Sequence, residues 1–271
     1  MIQSSSEVPP GNGHPDAVPA AQGPPEQDLL QALSERRFEL LAQPALHLET
    51  NELVAHALSV RAIGNDGRLV APPLLRLTAV RFGLMPEVDR WGVTRAAALV
   101  GRGHAVALCL SEEGLADPDM TSFIQRELVD AGADPSLLTV GITEPTAVGN
   151  EALTAACTRE MRSLGCGLSL DEFGSAYGDF AYLERLDVDR VMLDPTLTRG
   201  VECDSGRGQV VQVLVKVAIA RGLGVIAAGC EDPATMDELT SRGVQIGLGS
   251  HFPTAGADLP RAGVPSAPHA A

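Results

Sequence analysis

Residues 168–174 read Leu-Ser-Leu-Asp-Glu-Phe-Gly, which takes a short apolar strand into two adjacent carboxylates and then a glycine turn. Acidic side chains are costly to desolvate, so acids that follow a buried strand usually face a pocket that holds a metal ion, a base or solvent. Asp171 and Glu172 are therefore the first candidate site residues. The alternative is that one acid caps a following helix while the other is solvated.

Strand-like stretches recur on both sides of this one, with amphipathic stretches between most of them. Their apolar rather than alternating character is typical of strands covered on both faces. Counting the stretch that precedes Asp171, eight strands are predicted at 38–46, 52–60, 104–110, 137–142, 166–170, 190–193, 224–228 and 244–248.

The connections between these strands indicate the fold. The short turn Glu49-Thr50-Asn51 joins the first two strands, and a link that short can only join antiparallel neighbours because a parallel crossover needs a dozen residues or more. Strands and helices alternate after this hairpin. The sequence therefore predicts an α/β fold, a modified (β/α)8 TIM-like barrel with one antiparallel strand. A doubly wound open sheet is the alternative, but no glycine-rich phosphate loop follows an early strand.

Composition divides the 271 residues into one folded domain and two tails. Residues 1–25 are rich in proline, glycine and serine, and they hold too few large apolar side chains to offset the entropy of ordering. The sequence thus predicts a disordered N-terminal tail over 1–25, a barrel domain over 26–260 and a disordered C-terminal tail over 261–271.

Net charge and cysteine usage limit the classes of partner and compartment. A formal net charge of −15 argues against nonspecific binding of nucleic acid or anionic membranes, which require a positive field. No apolar run approaches the roughly 20 residues that span a bilayer, so a cytoplasmic protein is expected. Free thiols are favoured over disulfides or a zinc site for the five scattered cysteines, at positions 109, 157, 166, 203 and 230.

The positions of two single residues predict whether each is buried or solvated. Trp91, the single tryptophan, lies at helical spacing from Val88 and is predicted to belong to the core rather than to a binding surface. His104 lies at the edge of an element and is predicted to be solvated.

Short motifs follow one another in a fixed order along the chain. They are Phe38-Glu-Leu-Leu-Ala-Gln-Pro44, Val60-Arg61, Leu110-Ser111, Ile142-Thr143-Glu144, Asp171-Glu-Phe-Gly174 with Tyr177, Tyr182-Leu183, Leu186-Asp-Val-Asp-Arg190, Leu193-Asp194 and Ala227-Ala-Gly-Cys-Glu231. In order and spacing, over roughly residues 28–253, they resemble the EAL-domain phosphodiesterases of cyclic di-GMP.

This resemblance implies a phosphodiester hydrolysed with two Mg²⁺ or Mn²⁺ ions, which activate water and neutralise charge on phosphate. It leaves Asp171, Glu172 and Glu231 as a remnant acid site, with Asp194 and Arg61 also matching. At the other family positions the expected residues are replaced. Ala57 and Cys109 stand for a glutamate and an asparagine ligand, Gly141 and Ala228 for glutamates, Met192 for the lysine that assists the water, and Leu248 for a glutamine.

Loss of even one transition-state group typically costs about 10² in rate, so these replacements predict no catalytic residue, no bound metal and no cofactor. The favoured hypothesis is a catalytically inactive EAL-like regulatory protein that acts by contact with an unknown protein, with a homodimer left open. One alternative is a non-hydrolytic cyclic di-GMP receptor, in which Arg61 pairs with phosphate and Asp171 or Glu172 accepts from a guanine edge. A second is an active phosphodiesterase with an altered metal site. It would use Cys109, the acids and His56, which a one-residue insertion would place at the position of Ala57.

Overall fold

The structure is a computed structural model that describes residues 26–175 and 180–249. Both predicted disordered tails lie outside the described residues, and so does Tyr177. The limits predicted for the folded domain therefore stay a prediction.

Eight strands lie within a few residues of their predicted positions. Val, Leu, Ile and Ala dominate them, as expected where helices cover the outer face and side chains fill the inner one. The strands are β1 (Phe38–His47), β2 (Leu53–Ala62), β3 (Val106–Leu110), β4 (Leu138–Thr143), β5 (Gly167–Phe173), β6 (Arg190–Leu193), β7 (Gly224–Ala228) and β8 (Ile246–Leu248).

Helices lie between the strands and begin at polar caps or prolines. The carboxylate of Asp232, for example, accepts a 2.9 Å hydrogen bond from the backbone N–H of Thr235 where α10 begins, which satisfies one of the free N–H groups of the first turn. The described α-helices are α1 (Glu26–Ser34), α2 (Pro72–Arg81), α3 (Met85–Gly101), α4 (Glu112–Leu115), α5 (Met120–Asp130), α6 (Glu144–Gly149), α7 (Glu151–Ser163), α8 (Pro195–Thr198), α9 (Ser205–Ala220) and α10 (Pro233–Ser241).

The strands form a closed barrel in sequence order, with β8 beside β1. Strand β1 is antiparallel to both neighbours, whereas the other adjacent strands are parallel. This arrangement confirms the predicted modified (β/α)8 barrel, and the open doubly wound alternative is wrong. The C-terminal ends of parallel strands meet at one mouth of such a barrel, where binding sites form.

Strand β5 differs from its prediction because it continues through Phe173 and so includes both acids. The pairing of β5 with β6 shifts between Leu170 and Phe173, so β5 carries one extra residue in a bulge. Glu172 lies in this bulge with φ of 58°, a left-handed conformation that is uncommon outside glycine. Both acids thus lie within β5, and neither is a helix N-cap among the caps that the structure describes.

Two apolar clusters hold the barrel together. The larger one lies between the strands and the helices around them, and its fully buried leucines, such as Leu168 and Leu193, each contribute about 2 kcal/mol relative to an exposed side chain. The smaller cluster packs α1, α2 and the start of α3 against the end of β2. Its members are Leu29, Leu33, Ala62, Val70, Leu75, Ala79, Met85 and Val88. This second cluster fixes α2 beside the mouth of the barrel.

The cysteines are free thiols, of which Cys157, Cys166 and Cys230 are buried, Cys109 is half-buried and Cys203 is exposed. Among the helices that the structure describes, none combines the length and the apolar character needed to cross a bilayer.

Candidate functional site at the barrel mouth

An internal cavity of about 130 Å³ collects many of the residues that the sequence singles out. Small apolar side chains form most of its wall. They leave empty the space that larger polar side chains would fill. The structure brings together Ala57, Cys109, Gly141, Asp171, Met192 and Leu248 around it. Arg61, Glu172, Ala228 and Glu231 are not part of its lining.

Asp171 is the carboxylate of this cavity. It is 8% exposed, and its Oδ1 accepts a 2.8 Å hydrogen bond from Ser169 Oγ. A Cβ atom on Gly141 would overlap with Oδ2 of Asp171 and lie 3.1 Å from its Cγ. The missing side chain at position 141 therefore makes room for the Asp171 carboxylate. Burial raises the pKa of Asp171 to about 6, although hydrogen bonds from Ser169 and Cys109 lower it.

The Cys109 thiol lies beside this carboxylate. Burial raises the pKa of Cys109 well above its usual range, and the negative charges of Asp171 and Asp89 raise it further. The thiol therefore stays protonated at neutral pH. A protonated sulfur is a poor ligand for Mg²⁺, which prefers oxygen.

His56, which the altered-hydrolase alternative combines with Cys109, lies on the other face of β2. Side chains alternate along a strand, so His56 points away from the cavity that Ala57 lines. Its fully buried ring lies 6.3 Å from the His104 ring, measured between centroids. Burial lowers the pKa of His56, and nearby His104 lowers it further. The prediction that His104 is solvated is wrong, because it is 8% exposed and packs against His56.

Glu172 faces a second and more open space, which we call the mouth cleft. The mouth cleft has a volume of about 540 Å³ and lies between β2, α2 and α3. Burial raises the pKa of Glu172, and the positive charge of Arg76 counteracts this shift. Apolar side chains such as Pro72, Pro73 and Met85 form much of the wall. Its polar residues are Ser59, Arg76, Asp89, Ser111, Thr143 and Glu172.

Arg76 and Asp89 are cleft residues that sequence reasoning missed. Asp89 is 6% exposed, and its Oδ2 accepts hydrogen bonds from Oγ and N of Ser111, at 2.5 Å and 3.3 Å. One sequence signal could have identified Asp89: it is a charged residue on the apolar face of α3, one position after Val88. Nothing comparable marks Arg76, which is exposed on α2.

Asp89 makes the stability of the protein depend on pH. Burial raises its pKa from 3.8 to about 6, so the folded state holds this proton more tightly than the unfolded chain does. Its stabilising contribution is therefore present below about pH 4 and is lost as the pH rises toward 6. Asn at position 89 does not titrate. As the pH rises from about 4 to 6, we therefore expect the free energy of unfolding of Asp89→Asn to increase by about 2–3 kcal/mol relative to that of wild type.

Denaturant unfolding at a series of pH values measures this difference. Asp130→Asn, at an exposed position on α5, is the control and should follow wild type throughout. A difference between Asp89→Asn and wild type that is independent of pH would contradict the assignment.

The remaining predicted acids have other roles in the structure. Glu231 is exposed and pairs with Arg199 at 3.0 Å. Asp194 caps the short helix α8, since its Oδ1 accepts a 2.7 Å hydrogen bond from the backbone N–H of Thr196. Arg61 is half-buried, and its Nε has no hydrogen-bond partner among the described residues. Burial lowers the pKa of Arg61.

Glu144 supports the site from behind. It is 1% exposed, and its two oxygens accept hydrogen bonds from the backbone N–H of Gly174, at 2.9 Å, and from the Tyr182 hydroxyl. Burial, followed by the interaction with Glu144, raises the pKa of Tyr182. This network fixes the turn that directly follows Asp171 and Glu172.

The donors present do not fit the two-metal site that the resemblance implies. Within the described residues, no group of three or more His, Cys, Asp or Glu side chains is placed to hold a metal ion. Ala57 and Gly141 offer no side-chain oxygen, and Glu231 is engaged by Arg199. Asp171 and Glu172 alone are too few to replace the hydration shells of two divalent ions.

A closed barrel with one antiparallel strand, and with acids on a bulged fifth strand at its mouth, defines a TIM-like barrel protein of the EAL type. The chain belongs to the EAL domain family, whose sequence model matches residues 26–255. The resemblance noted from the motifs is thereby confirmed.

Several named relatives match most of the chain. The cyclic di-GMP phosphodiesterase PdeB of Shewanella oneidensis is 25% identical over 224 residues, or 74% of this chain. The cyclic di-GMP phosphodiesterase NbdA of Pseudomonas aeruginosa is 28% identical over 236 residues, or 84% of this chain. The match spans only 26% and 30% of these two relatives.

Solved structures share the fold. A phosphodiesterase structure, PaMucR in complex with c-di-GMP, has a TM-score of 0.79 at 24% identity and covers 85% of this chain and 97% of that one. The FimX EAL domain from Pseudomonas aeruginosa bound to c-di-GMP has a TM-score of 0.76 at 22% identity, with coverages of 83% and 93%.

The prediction that the protein is not an enzyme is contradicted by these relatives. Those at 25% and 28% identity are named as cyclic di-GMP phosphodiesterases, and that relationship points to an enzyme. The prediction was based on a count of replaced residues. Such a count does not measure what the remaining groups contribute to a transition state, and this is why it misled.

Proposed function

We propose that this EAL domain works in cyclic di-GMP signalling and binds the dinucleotide in the mouth cleft. The observation that carries the proposal is the composition of that cleft, which combines apolar walls with a free arginine and buried acceptors in about 540 Å³. Ligand pockets commonly join apolar surface to a few polar groups that fix orientation. The relatives named as phosphodiesterases of this dinucleotide, and the similar structures that contain it, support the same ligand.

The mouth cleft offers groups that match a guanine base and a phosphate of the ligand. The faces of Pro72, Pro73 and Met85 suit a planar guanine base, and the Glu172 carboxylate suits the N–H donors on its edge. Arg76 makes no ion pair among the described residues, and a guanidinium can bind a phosphate with two parallel hydrogen bonds. Burial raises the pKa of Asp89 and Asp171 to about 6, so their repulsion of phosphate weakens as the pH falls toward 6.

Titration calorimetry with cyclic di-GMP tests this proposal. We expect micromolar binding by the full chain, weakened about tenfold by Arg76→Ala because a charge-assisted contact to phosphate is lost. Arg102→Ala removes an equal charge from the far end of α3 and is the matched control. Absence of binding heat at high micromolar cyclic di-GMP, both with and without Mg²⁺, would contradict the proposal.

Hydrolysis of the bound dinucleotide is a second candidate, favoured by the names of the relatives. The full chain incubated with cyclic di-GMP and Mn²⁺ would then yield the linear dinucleotide, detected by chromatography. Absence of product together with measurable binding would argue for a receptor. Regulation by contact with another protein, a homodimer and a cytoplasmic location all stay predictions.

A further inference from the structure

A surface groove outside the barrel lies between α3 and α5, next to the short link that joins α1 to β1. It has a volume of about 520 Å³, and we call it the arginine groove. Its floor includes the aromatic rings of Trp91 and Phe123, and Arg36, Arg90 and Arg95 line its sides. Trp91 is half-buried at this surface, so the prediction that it belongs to the core is only partly met.

Stacking on the aromatic rings orders the arginines. The guanidinium carbon of Arg95 lies 5.2 Å from the Trp91 ring centroid, and that of Arg90 lies 4.8 Å from the Phe123 centroid. The guanidinium carbon of Arg126, which does not line the groove, lies 5.9 Å from the centroid of the same Phe123 ring. Cation–π contacts of this kind hold a guanidinium in place while its N–H groups stay available.

The arginines differ in their ionic partners. Arg90 is fixed by Asp117, with Nη2 at 2.6 Å from Oδ2. Arg36, Arg95 and Arg126 make no ion pair among the described residues, although the chain as a whole carries a net charge of −15. Three guanidinium groups without an ion pair, beside the half-buried rings of Trp91 and Phe123, are thus available to a ligand that brings its own carboxylates.

Two acids at the groove narrow the class of ligand. Glu87 and Glu127 also line it, so the groove presents negative as well as positive groups. A uniformly anionic polymer such as single-stranded nucleic acid would meet these two carboxylates and the acidic surface around them. A peptide can instead place discrete acidic residues opposite the arginines and an apolar side chain on the aromatic floor.

We propose that the arginine groove docks an acidic segment of a partner protein. One or two carboxylates of the segment pair with Arg36 and Arg95, and a neighbouring aliphatic or aromatic side chain packs on Trp91 and Phe123. The groove lies outside the barrel and shares no lining residue with the mouth cleft, so a docked segment and cyclic di-GMP would not compete for the same residues.

Selection from a displayed library of short random peptides tests the docking proposal on the full chain. We expect the peptides retained by wild type to be enriched in Asp and Glu beside an apolar residue. The variant Arg36→Gln/Arg95→Gln/Arg126→Gln should lose that enrichment and bind a selected synthetic peptide at least about tenfold more weakly. Emission of Trp91, the one tryptophan of the chain, should shift when the peptide binds.

A matched variant separates local contacts from overall charge. Arg68→Gln/Arg102→Gln/Arg159→Gln removes the same charge from exposed positions elsewhere and should bind the selected peptide as wild type does. Three results would each overturn the proposal: no enrichment of acidic residues, equal peptide binding by both triple variants, or a Trp91 shift with oligothymidylate but not with the peptide.

Discussion

Replacement of Glu144 with alanine is expected to lower the free energy of unfolding by about 3–4 kcal/mol. The Glu144 carboxylate is 1% exposed and accepts from Gly174 N–H and from the Tyr182 hydroxyl, so its loss leaves one buried donor and one partly buried donor without this acceptor. Truncation also leaves a void in the core. Gly174 directly follows β5, so the bulge that carries Asp171 and Glu172 should loosen as well.

Thermal or denaturant unfolding measures this loss. Tyr182→Phe removes only one of the donors and should cost about 1 kcal/mol. Glu49→Ala, in the exposed turn after β1, is the control and should stay within about 0.5 kcal/mol of wild type. A loss at Glu144 as small as that of the control would show that the network contributes little.

Gly141→Glu, which introduces the residue that the family resemblance implies, should destabilise the protein by about 3 kcal/mol. A side chain at position 141 meets the Asp171 carboxylate, and the new acid adds a second buried negative charge beside it. Asp171 cannot move away without losing its hydrogen bond from Ser169. Restoring one family ligand by itself is therefore unfavourable in this barrel.

A double-mutant cycle isolates this conflict. In the Asp171→Ala background, Gly141→Glu should cost about 2 kcal/mol less than it does in wild type, because the competing carboxylate is gone. Gly149→Glu is the control, since a Cβ there has no neighbouring heavy atom within 4 Å. Equal costs in the two backgrounds would show that Asp171 and the space at Gly141 are independent.

Local pattern was enough to predict much of the fold and part of the site. Apolar runs located the strands, and the brief turn at Glu49 required an antiparallel first pair. The alignment of motifs with strand ends placed Cys109, Gly141 and Asp171 together, because neighbouring parallel strands end at the same mouth. The lining of the internal cavity agrees with that placement.

Other site features depend on contacts between residues far apart in the chain. Arg76 reaches the mouth only because the apolar cluster of α1 and α2 packs on β2. Glu231 and Asp194 match family positions in sequence. In the structure, however, Glu231 pairs with Arg199, and Asp194 caps helix α8. Side-chain identity alone does not determine which partner a carboxylate finds.

The sequence by itself determined the barrel, its antiparallel first strand and the strand that leads into Asp171-Glu172, because periodicity and turn length are local properties. Only the tertiary structure decided that β5 bulges at Glu172, that the Asp171 carboxylate occupies the space left by Gly141, and that Arg90, Arg95 and Arg126 lie over the rings of Trp91 and Phe123. These features follow from which backbones and side chains approach one another after the barrel closes, and desolvation and steric overlap act only at such contacts.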